Sequence, residues 1–301
     1  MKKVYDSVAH AIGCTPAVRL NRVSSGLKGT IWAKLEYLNP AGSLKDRTAL
    51  AIVDEAERRG CLIPGGTIIE AGTGNLGVGL AMVAAARGYP VIFVLPDTVG
   101  KERRDSLRAY GARVITTPST VPDDDPRSWR SVAERLQAEI PNSCTVDPLG
   151  NPANPQHHYE VTGREIWEQF DGQIDVLVAG LGTGGSISGV GRYLKEQKPE
   201  IKVIGVDPVG SVYYDYFHTG QMTAAIPSRL EGIGQAYLPA TLDFSHIDDV
   251  FRVNDRESFQ MTRRLVREEG LFVGATSGAA MAGALKFMRL HGREDLRAVV
   301  L

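Results

Sequence analysis

Cysteine is scarce in this chain. Cys14, Cys61 and Cys144 are odd in number and widely spaced, a pattern that argues against a disulfide scaffold and a zinc site and fits a reducing, cytoplasmic compartment. Neither sign of charge dominates. The 34 basic and 35 acidic residues leave a net charge of −1, so neither nucleic acid nor a membrane surface is expected as a partner. No apolar run approaches the roughly 18–20 residues that a membrane span requires. The opening Met-Lys-Lys-Val-Tyr-Asp lacks the apolar core of a secretory signal. His157 and His158 follow Asn154-Pro-Gln without metal-ligand spacing. They read as surface or packing residues, and no metal is expected. No internal repeat is present.

What the chain has is glycine, 33 of them, clustered after apolar runs. Short β-rich runs alternate with amphipathic stretches: strands at 31–35, 67–70, 91–95, 113–116, 176–179, 202–207 and 297–301, and helices at 45–59, 76–87, 101–110, 128–139, 185–196, 256–269 and 277–290. Continuous apolar strands between helices predict an α/β fold of doubly wound parallel sheets with both faces covered. At 301 residues two domains are expected. Two segments break the rhythm. Residues 118–126 hold three prolines and three aspartates and read as an exposed loop. Residues 211–229 are aromatic-rich without a period and read either as a surface flap or subunit contact or as a lid over a site.

Three segments carry chemistry. In Asn39-Pro-Ala-Gly-Ser-Leu-Lys-Asp-Arg47, Lys45 stands on the first turn of a predicted helix. A helix N-terminus is a poor place for an ammonium, and burial there would favour the neutral, nucleophilic amine that holds aldehydes as Schiff bases. The bland reading is a solvated lysine between Asp46 and Arg47. Ala179-Gly-Leu-Gly-Thr-Gly-Gly-Ser186 joins a buried strand to a helix and suits a phosphate, with Thr183 and Ser186 as added donors. It lacks the Lys-Ser/Thr of a nucleoside triphosphate loop. Gly72-Thr-Gly-Asn-Leu-Gly77 matches the dinucleotide fingerprint, with Asp97 about 20 residues on. Three readings stand for it: a nicotinamide-dinucleotide site of an NAD-dependent oxidoreductase, a tight turn, or a loop in which Asn75 embraces a hydroxyl or carboxylate. Ser277, in Gly274-Ala-Thr-Ser-Gly-Ala279, reads as an N-cap or as a hydroxyl aimed at a ring nitrogen.

Taken together, these residues resemble the fold-type II pyridoxal-phosphate enzymes of the cysteine synthase and cystathionine β-synthase family. The likeness runs through Ile12-Gly-Cys-Thr-Pro16, 39–47, Thr73–Asn75, Asn151-Pro-Ala-Asn-Pro155, 182–186, Glu231-Gly-Ile-Gly234 and Thr276-Ser-Gly278. The resemblance implies pyridoxal 5'-phosphate in a cleft between two domains. One is a smaller, mobile domain at 36–147; the other is a larger domain of 1–35 plus 148–301. It implies Lys45 as imine-forming residue and general base. Gly182, Thr183, Gly184, Gly185 and Ser186 would cradle the phosphate, with Asn75 at the pyridine hydroxyl and Ser277 at the pyridine nitrogen. Gly72, Thr73, Gly74, Leu76 and Gly232 would contact the substrate. The implied reaction is β-replacement or β-elimination on serine, O-activated serine or a cysteine-like amino acid through an aminoacrylate intermediate, with a thiol or other nucleophile, in a homodimer. No regulatory module or haem-binding extension is expected.

The chain departs from the family at its substrate-carboxylate loop. The family reads Thr-Ser-Gly-Asn-Thr where this chain has Gly72, Thr73, Gly74, Asn75 and Leu76, and it has glutamine where this chain has Pro148. A non-standard substrate is the expectation. Cys14 stands where the family has asparagine. A non-catalytic binding protein on the same fold is a further alternative, against which the retained Lys45 argues.

Overall fold

The computed structural model describes residues 4–72, 76–122 and 124–301. The chain divides into two compact units, Met1–Cys14 with Tyr37–Ala153, and Thr15–Glu36 with Asn154–Leu301. Its strands are β1 (Ala17–Leu20), β2 (Thr30–Lys34), β3 (Thr67–Ala71), β4 (Val91–Pro96), β5 (Arg113–Thr117), β6 (Ser143–Thr145), β7 (Val176–Gly180), β8 (Lys202–Pro208), β9 (Asp249–Val253) and β10 (Arg297–Val300). Its helices are α1 (Lys45–Arg58), α2 (Gly77–Arg87), α3 (Lys101–Ala109), α4 (Trp129–Glu139), α5 (Ala153–His157), α6 (Arg164–Gln169), α7 (Gly185–Gln197), α8 (Tyr213–Thr219), α9 (Asp255–Glu269) and α10 (Ala275–His291).

The first unit is a four-stranded parallel sheet in the order β5-β4-β3-β6. Neighbouring residues on β3 face opposite ways, as a strand requires. Ile68 joins Leu80, Phe93 and the α1 residues Ala49, Ile52, Val53 and Ala56 on one face. Ile69 joins Ile92, Val94 and the α4 residues Val132 and Ala133 on the other. Ala49, Ile52, Val53 and Ala56 recur at helical spacing, which directs one stripe of α1 to the core. Residues 4–14 fall with this unit. The reason is local: Ile12 packs against the same core, and Gly13 N–H donates to Asn39 Oδ1 (2.8 Å).

The second unit is a six-stranded sheet in the order β1-β2-β10-β7-β8-β9. It is parallel except at its edge, where β1 runs antiparallel to β2. One face carries α7, through Ile187, Val190 and Leu194. α10 lies against β7, β8 and β9. The segment 211–229 is not structureless, since α8 lies inside it. Its Tyr213 is fully buried, and Tyr216 and Phe217 pack on Phe244. The start of α9 is set by a capping box: Glu257 N–H donates to Asn254 Oδ1, and Asn254 N–H donates to Glu257 Oε2, both at 2.9 Å.

The cysteines also need correction. Cys61, just past α1, and Cys144, on β6, form a disulfide with Cα atoms 5.7 Å apart across 83 residues of sequence. Sequence spacing gave no hint, because the sheet brings the end of α1 to β6. Cys14 adopts a left-handed backbone (φ 47°), which asparagine tolerates better than other side-chain-bearing residues. This gives the family's asparagine at that position a backbone reason.

Two stability predictions follow from these backbone features. Reduction of Cys61–Cys144 is expected to lower unfolding stability by up to about 4 kcal/mol, from the loop it closes. Equal urea midpoints with and without reductant would refute this. Cys14→Asn is expected to raise stability by about 1 kcal/mol, measured the same way.

Candidate active site

Right-handed crossovers place the helix that follows each parallel strand with its N-terminus at the carboxyl edge of the sheet. In the first unit, α1 precedes β3 and α2 follows it, so both helix N-termini lie at that edge. They also touch. A Cβ on Gly79 would lie 3.0 Å from the Cα of Asp46, so only glycine lets the first turns of α1 and α2 approach this closely. Upstream of α1 the chain turns at Gly42, and Ala41 N–H donates to Asp46 Oδ2 (2.6 Å). Asp46 and Arg47 are fully buried, which removes the reading of Lys45 as a solvated lysine between two surface charges.

Lys45 retains some accessible surface, but its surroundings strip water from the ammonium. Burial lowers its pKa from the ordinary 10.5 to about 8. No carboxylate pairs with it among the described residues. At pH 7 roughly one molecule in ten carries the neutral amine, against about one in three thousand for an ordinary lysine.

Beyond β3 lies the 72–77 loop. Thr73, Gly74 and Asn75 fall outside the described residues. Leu76 is buried in the core with Leu80 and Phe93, so its side chain serves packing and its position offers the start of α2. Gly72 presents no side chain, and a Cβ there would sit 3.2 Å from Glu70 Oε1. Glu70 escaped the sequence reading. Its side chain is buried, its Oε2 has no hydrogen-bond partner among the described residues, and burial raises its pKa from 4.5 to about 7. Asp97, the acid expected of a dinucleotide site, accepts from Ser119, whose side chain foremost, and also its backbone N–H (3.1 Å), holds the Asp97 pKa below the usual value.

In the second unit, β7 leads through 181–184 into α7. Gly184 is left-handed (φ 84°), and a Cβ there would stand 2.4 Å from Leu242 Cβ, so the turn admits no side chain. The N-terminus of α7 has no side-chain cap and no acid in its first turn. Its first amide donors therefore have no partner within the helix and are open to an anion. Gly182, Thr183, Gly184, Gly185 and Ser186 are contiguous here, and Gly232 passes over Gly182 with its carbonyl oxygen 2.4 Å from where a Cβ would be. Asn154 Nδ2 donates to Thr183 Oγ1 (3.1 Å), and Thr241 Oγ1 donates to the Thr183 carbonyl (2.6 Å). Tyr213 O–H donates to the Gly182 carbonyl (2.7 Å). His158 is fully buried, with Nε2 3.1 Å from Ser186 Oγ. Asn154, His158, Tyr213 and Thr241 were all missed as site residues. Ser277 is not an N-cap: that position belongs to Gly274, and Ser277 lies in the first turn of α10, its N–H donating to the Gly274 carbonyl (3.1 Å).

In the second unit, uncapped amides with the hydroxyls of Thr183 and Ser186 fit a phosphate, and α10 adds the neutral hydroxyl of Ser277; in the first unit, a lysine with its pKa lowered to about 8 fits an aldehyde.

Glu70 yields a stability prediction. Below about pH 4.5 the carboxyl is protonated whether the chain is folded or not. As pH rises from there through about 7, the folded chain keeps a proton that the unfolded chain releases, and stability falls. The loss is roughly 3 kcal/mol once pH has passed the folded value. Glu70→Gln is expected to flatten that fall, read as Tm against pH; an unchanged slope would show that Glu70 titrates normally.

Comparison with known proteins agrees with this geometry. The family described as "Pyridoxal-phosphate dependent enzyme" matches residues 8–301. Cystathionine beta-synthase of Apis mellifera is 46% identical over 301 residues, covering 99% of this chain and 59% of that protein. The chain spans little more than half the length of such relatives. A cysteine synthase of Staphylococcus aureus is 38% identical, covering 100% of this chain and 94% of that one. A hydrogen sulfide-producing enzyme from Fusobacterium nucleatum has a structure similar to this one, with a TM-score of 0.92, 35% identity and coverage of 100% and 96%. From the glycine cradle at the head of α7 to the desolvated Lys45, the chain belongs to the pyridoxal-phosphate-dependent enzymes of the cysteine synthase and cystathionine β-synthase type.

Proposed function

We propose that the protein catalyses β-replacement, or β-elimination, on serine, an O-activated serine or a cysteine-like amino acid. The observation that carries this reading is Lys45, desolvated, without a carboxylate partner among the described residues, and with its pKa lowered to about 8. Pyridoxal phosphate, when bound, supplies the electron sink that makes the amino acid's α-proton acidic and lets the β-substituent leave. The neutral amine of Lys45 takes that α-proton and returns one at the end of the cycle. The amides and hydroxyls of 182–186 hold the phosphate. Ser277 offers a neutral hydroxyl at the ring nitrogen, which favours chemistry at the β-carbon over deeper charge delocalisation. Asn75 is assigned to the ring hydroxyl and Thr73, Gly74 and the start of α2 to the substrate carboxylate.

The carboxylate subsite is where this enzyme differs. Gly72 and Pro148 bring no side-chain hydrogen bonds, and the side chain of Leu76 is turned into the core. Each lost bond to a charged group is worth roughly 1.5–3 kcal/mol, so two or three of them weaken binding of an ordinary amino acid by a few powers of ten. A substrate with a larger, masked or displaced carboxylate is the better fit. We also place the enzyme in the cytoplasm as a homodimer, on the family resemblance. Among the described residues no helix is long and apolar enough to cross a membrane. A reducing compartment would open the Cys61–Cys144 disulfide, so an intact bond in protein alkylated at the moment of lysis would overturn that placement.

The purified protein is expected to show a visible absorbance band that borohydride abolishes. In a screen of serine, O-acetylserine, O-phosphoserine and cysteine, ordinary O-acetylserine is expected to perturb that band only weakly; tight, family-like binding would refute the altered carboxylate subsite. Lys45→Ala is expected to lose activity by about 10²-fold or more with its circular dichroism unchanged. In the wild type, α-proton exchange is expected to accelerate as pH rises through about 8 and then level off, because the neutral amine is the active form.

A further inference from the structure

A buried acid stands at the head of α2, and the reaction as described does not use it. Glu70 follows Ile68 by two positions on β3, so it shares the face that packs under α1 and α2. Its neighbours across the sheet are apolar. Phe93 pairs with it on β4, and Val146, the residue after the Ile69–Thr145 pair, is buried in the same core. Phe93 also touches the start of α2, since a Cβ on Gly77 would stand 3.1 Å from Phe93 Cε1. The carboxyl reaches the side-chain position of residue 72, where a Cβ would lie 3.2 Å from Oε1. Oε2 is buried and has no hydrogen-bond partner among the described residues. Buried polar atoms of folded proteins are nearly all hydrogen-bonded, so an exception at the edge of a site points to a partner that arrives from outside.

The charges around Glu70 leave its ionisation to burial. β4 and the first two turns of α2 carry no titratable residue, and on β6 Cys144 is in the disulfide. α1 brings Lys45, Asp46 and Arg47 in its first turn, with Asp46 accepting from Ala41 N–H and Ser43 Oγ. Asp147, past β6, accepts the Leu149 N–H (2.9 Å). α3 reaches this core through Leu107 and carries Arg104 one turn earlier on the same side, while its Lys101 and Arg108 both pair with Asp105. The charges of α4 belong to the opposite face of the sheet. Burial alone raises the Glu70 pKa, to about 7.

That ionisation decides how an arriving anion is received. α2 has no side-chain cap, and its leading amides favour a carboxylate. Beside a carboxylate held there, an ionised Glu70 adds a like charge, whereas a neutral Glu70 adds an O–H donor. Gly72 has no side chain to stand between them.

We propose that Glu70 is a specificity-determining residue at the head of α2: its neutral carboxyl donates, through the gap that Gly72 leaves, to an oxygen of the substrate carboxylate, and its ionised form repels the same group. The proposal rests on the reading of the start of α2 as the substrate-carboxylate subsite, and it names the group that stands in for the missing side-chain donors. The proton stays on Glu70 throughout.

The test measures α-proton exchange of L-alanine and of L-alaninamide by the pyridoxal-phosphate-loaded protein, as kcat/KM against pH, in the wild type and in Glu70→Gln. The ratio of wild type to variant cancels the titrations of Lys45 and of the substrate amine, which both proteins share. Glutamine keeps an N–H donor that does not titrate. For L-alanine the ratio is expected to fall about tenfold between about pH 6 and about pH 8, as Glu70 passes from mostly neutral to mostly ionised. For L-alaninamide it is expected to change by less than about twofold, because the amide oxygen accepts from the acid and the amide N–H donates to the carboxylate. Gly72→Ala, which puts a methyl beside Oε1, is expected to flatten the L-alanine profile as Glu70→Gln does. ¹³C NMR of the Glu70 carboxyl, assigned by its loss in Glu70→Gln, gives a readout without turnover. L-alanine is expected to move its titration to higher pH, and L-alaninamide to leave it in place. Parallel profiles for wild type and Glu70→Gln, an equal fall with both compounds, or a ratio that rises with pH would overturn the proposal. A protein that forms no borohydride-sensitive band with pyridoxal phosphate would overturn the functional reading together with it.

Discussion

A parallel strand can return to its sheet only by crossing over, and the crossover has one hand. The chemistry of this protein depends on that constraint. It gathers helix N-termini at the carboxyl edge of each sheet, where amides without intrahelical partners face outward. In one unit this places the first turn of α1, with Lys45, against the first turn of α2. In the other it aims α7 and α10 to the same side, one with the glycine cradle and one with Ser277. The glycines at 79 and 184 set how closely the chain can turn and pack at these edges, which residues with a Cβ would hold apart.

Burial without a partner is the second theme. Desolvation moves Lys45 and Glu70 in opposite directions, one toward the neutral amine and the other toward the neutral acid. Both lie at the carboxyl edge of the four-stranded sheet. A structural ion pair would have held each group charged, and among the described residues neither has one. Perturbed groups of this kind concentrate where a protein does chemistry. Elsewhere the same chain satisfies its buried polar groups. The Lys34 ammonium meets Thr15 and Glu165, and Thr15 Oγ1 donates to Glu36 Oε1 (2.6 Å).

Much of the fold was legible because it is periodic. The apolar stripe of α1 and the continuous run of β4 announce a helix and a buried strand. The elements that were missed are short or aperiodic. β6 has three residues and earns its place only by pairing with β3. α8 hides in an aromatic segment whose pattern answers to Phe244 and Gly182, both distant in sequence. β1 runs antiparallel, which no composition reveals. His158 was read as a packing residue because its partner Ser186 stands 28 positions away. The Cys61–Cys144 pair, 83 residues apart, was invisible for the same reason.

By itself the sequence determined the alternation of strands and helices, the cofactor class and the absence of hydroxyl side chains at 72 and 76, because these depend on residue type and local order. Tertiary structure alone decided that Lys45 is desolvated, that Leu76 packs inward, that Glu70 lies close to where a side chain on residue 72 would be, and that His158 meets Ser186 at the head of α7. Burial and hydrogen-bond direction are properties of what surrounds a residue, and those surroundings are assembled from parts of the chain that sequence keeps far apart.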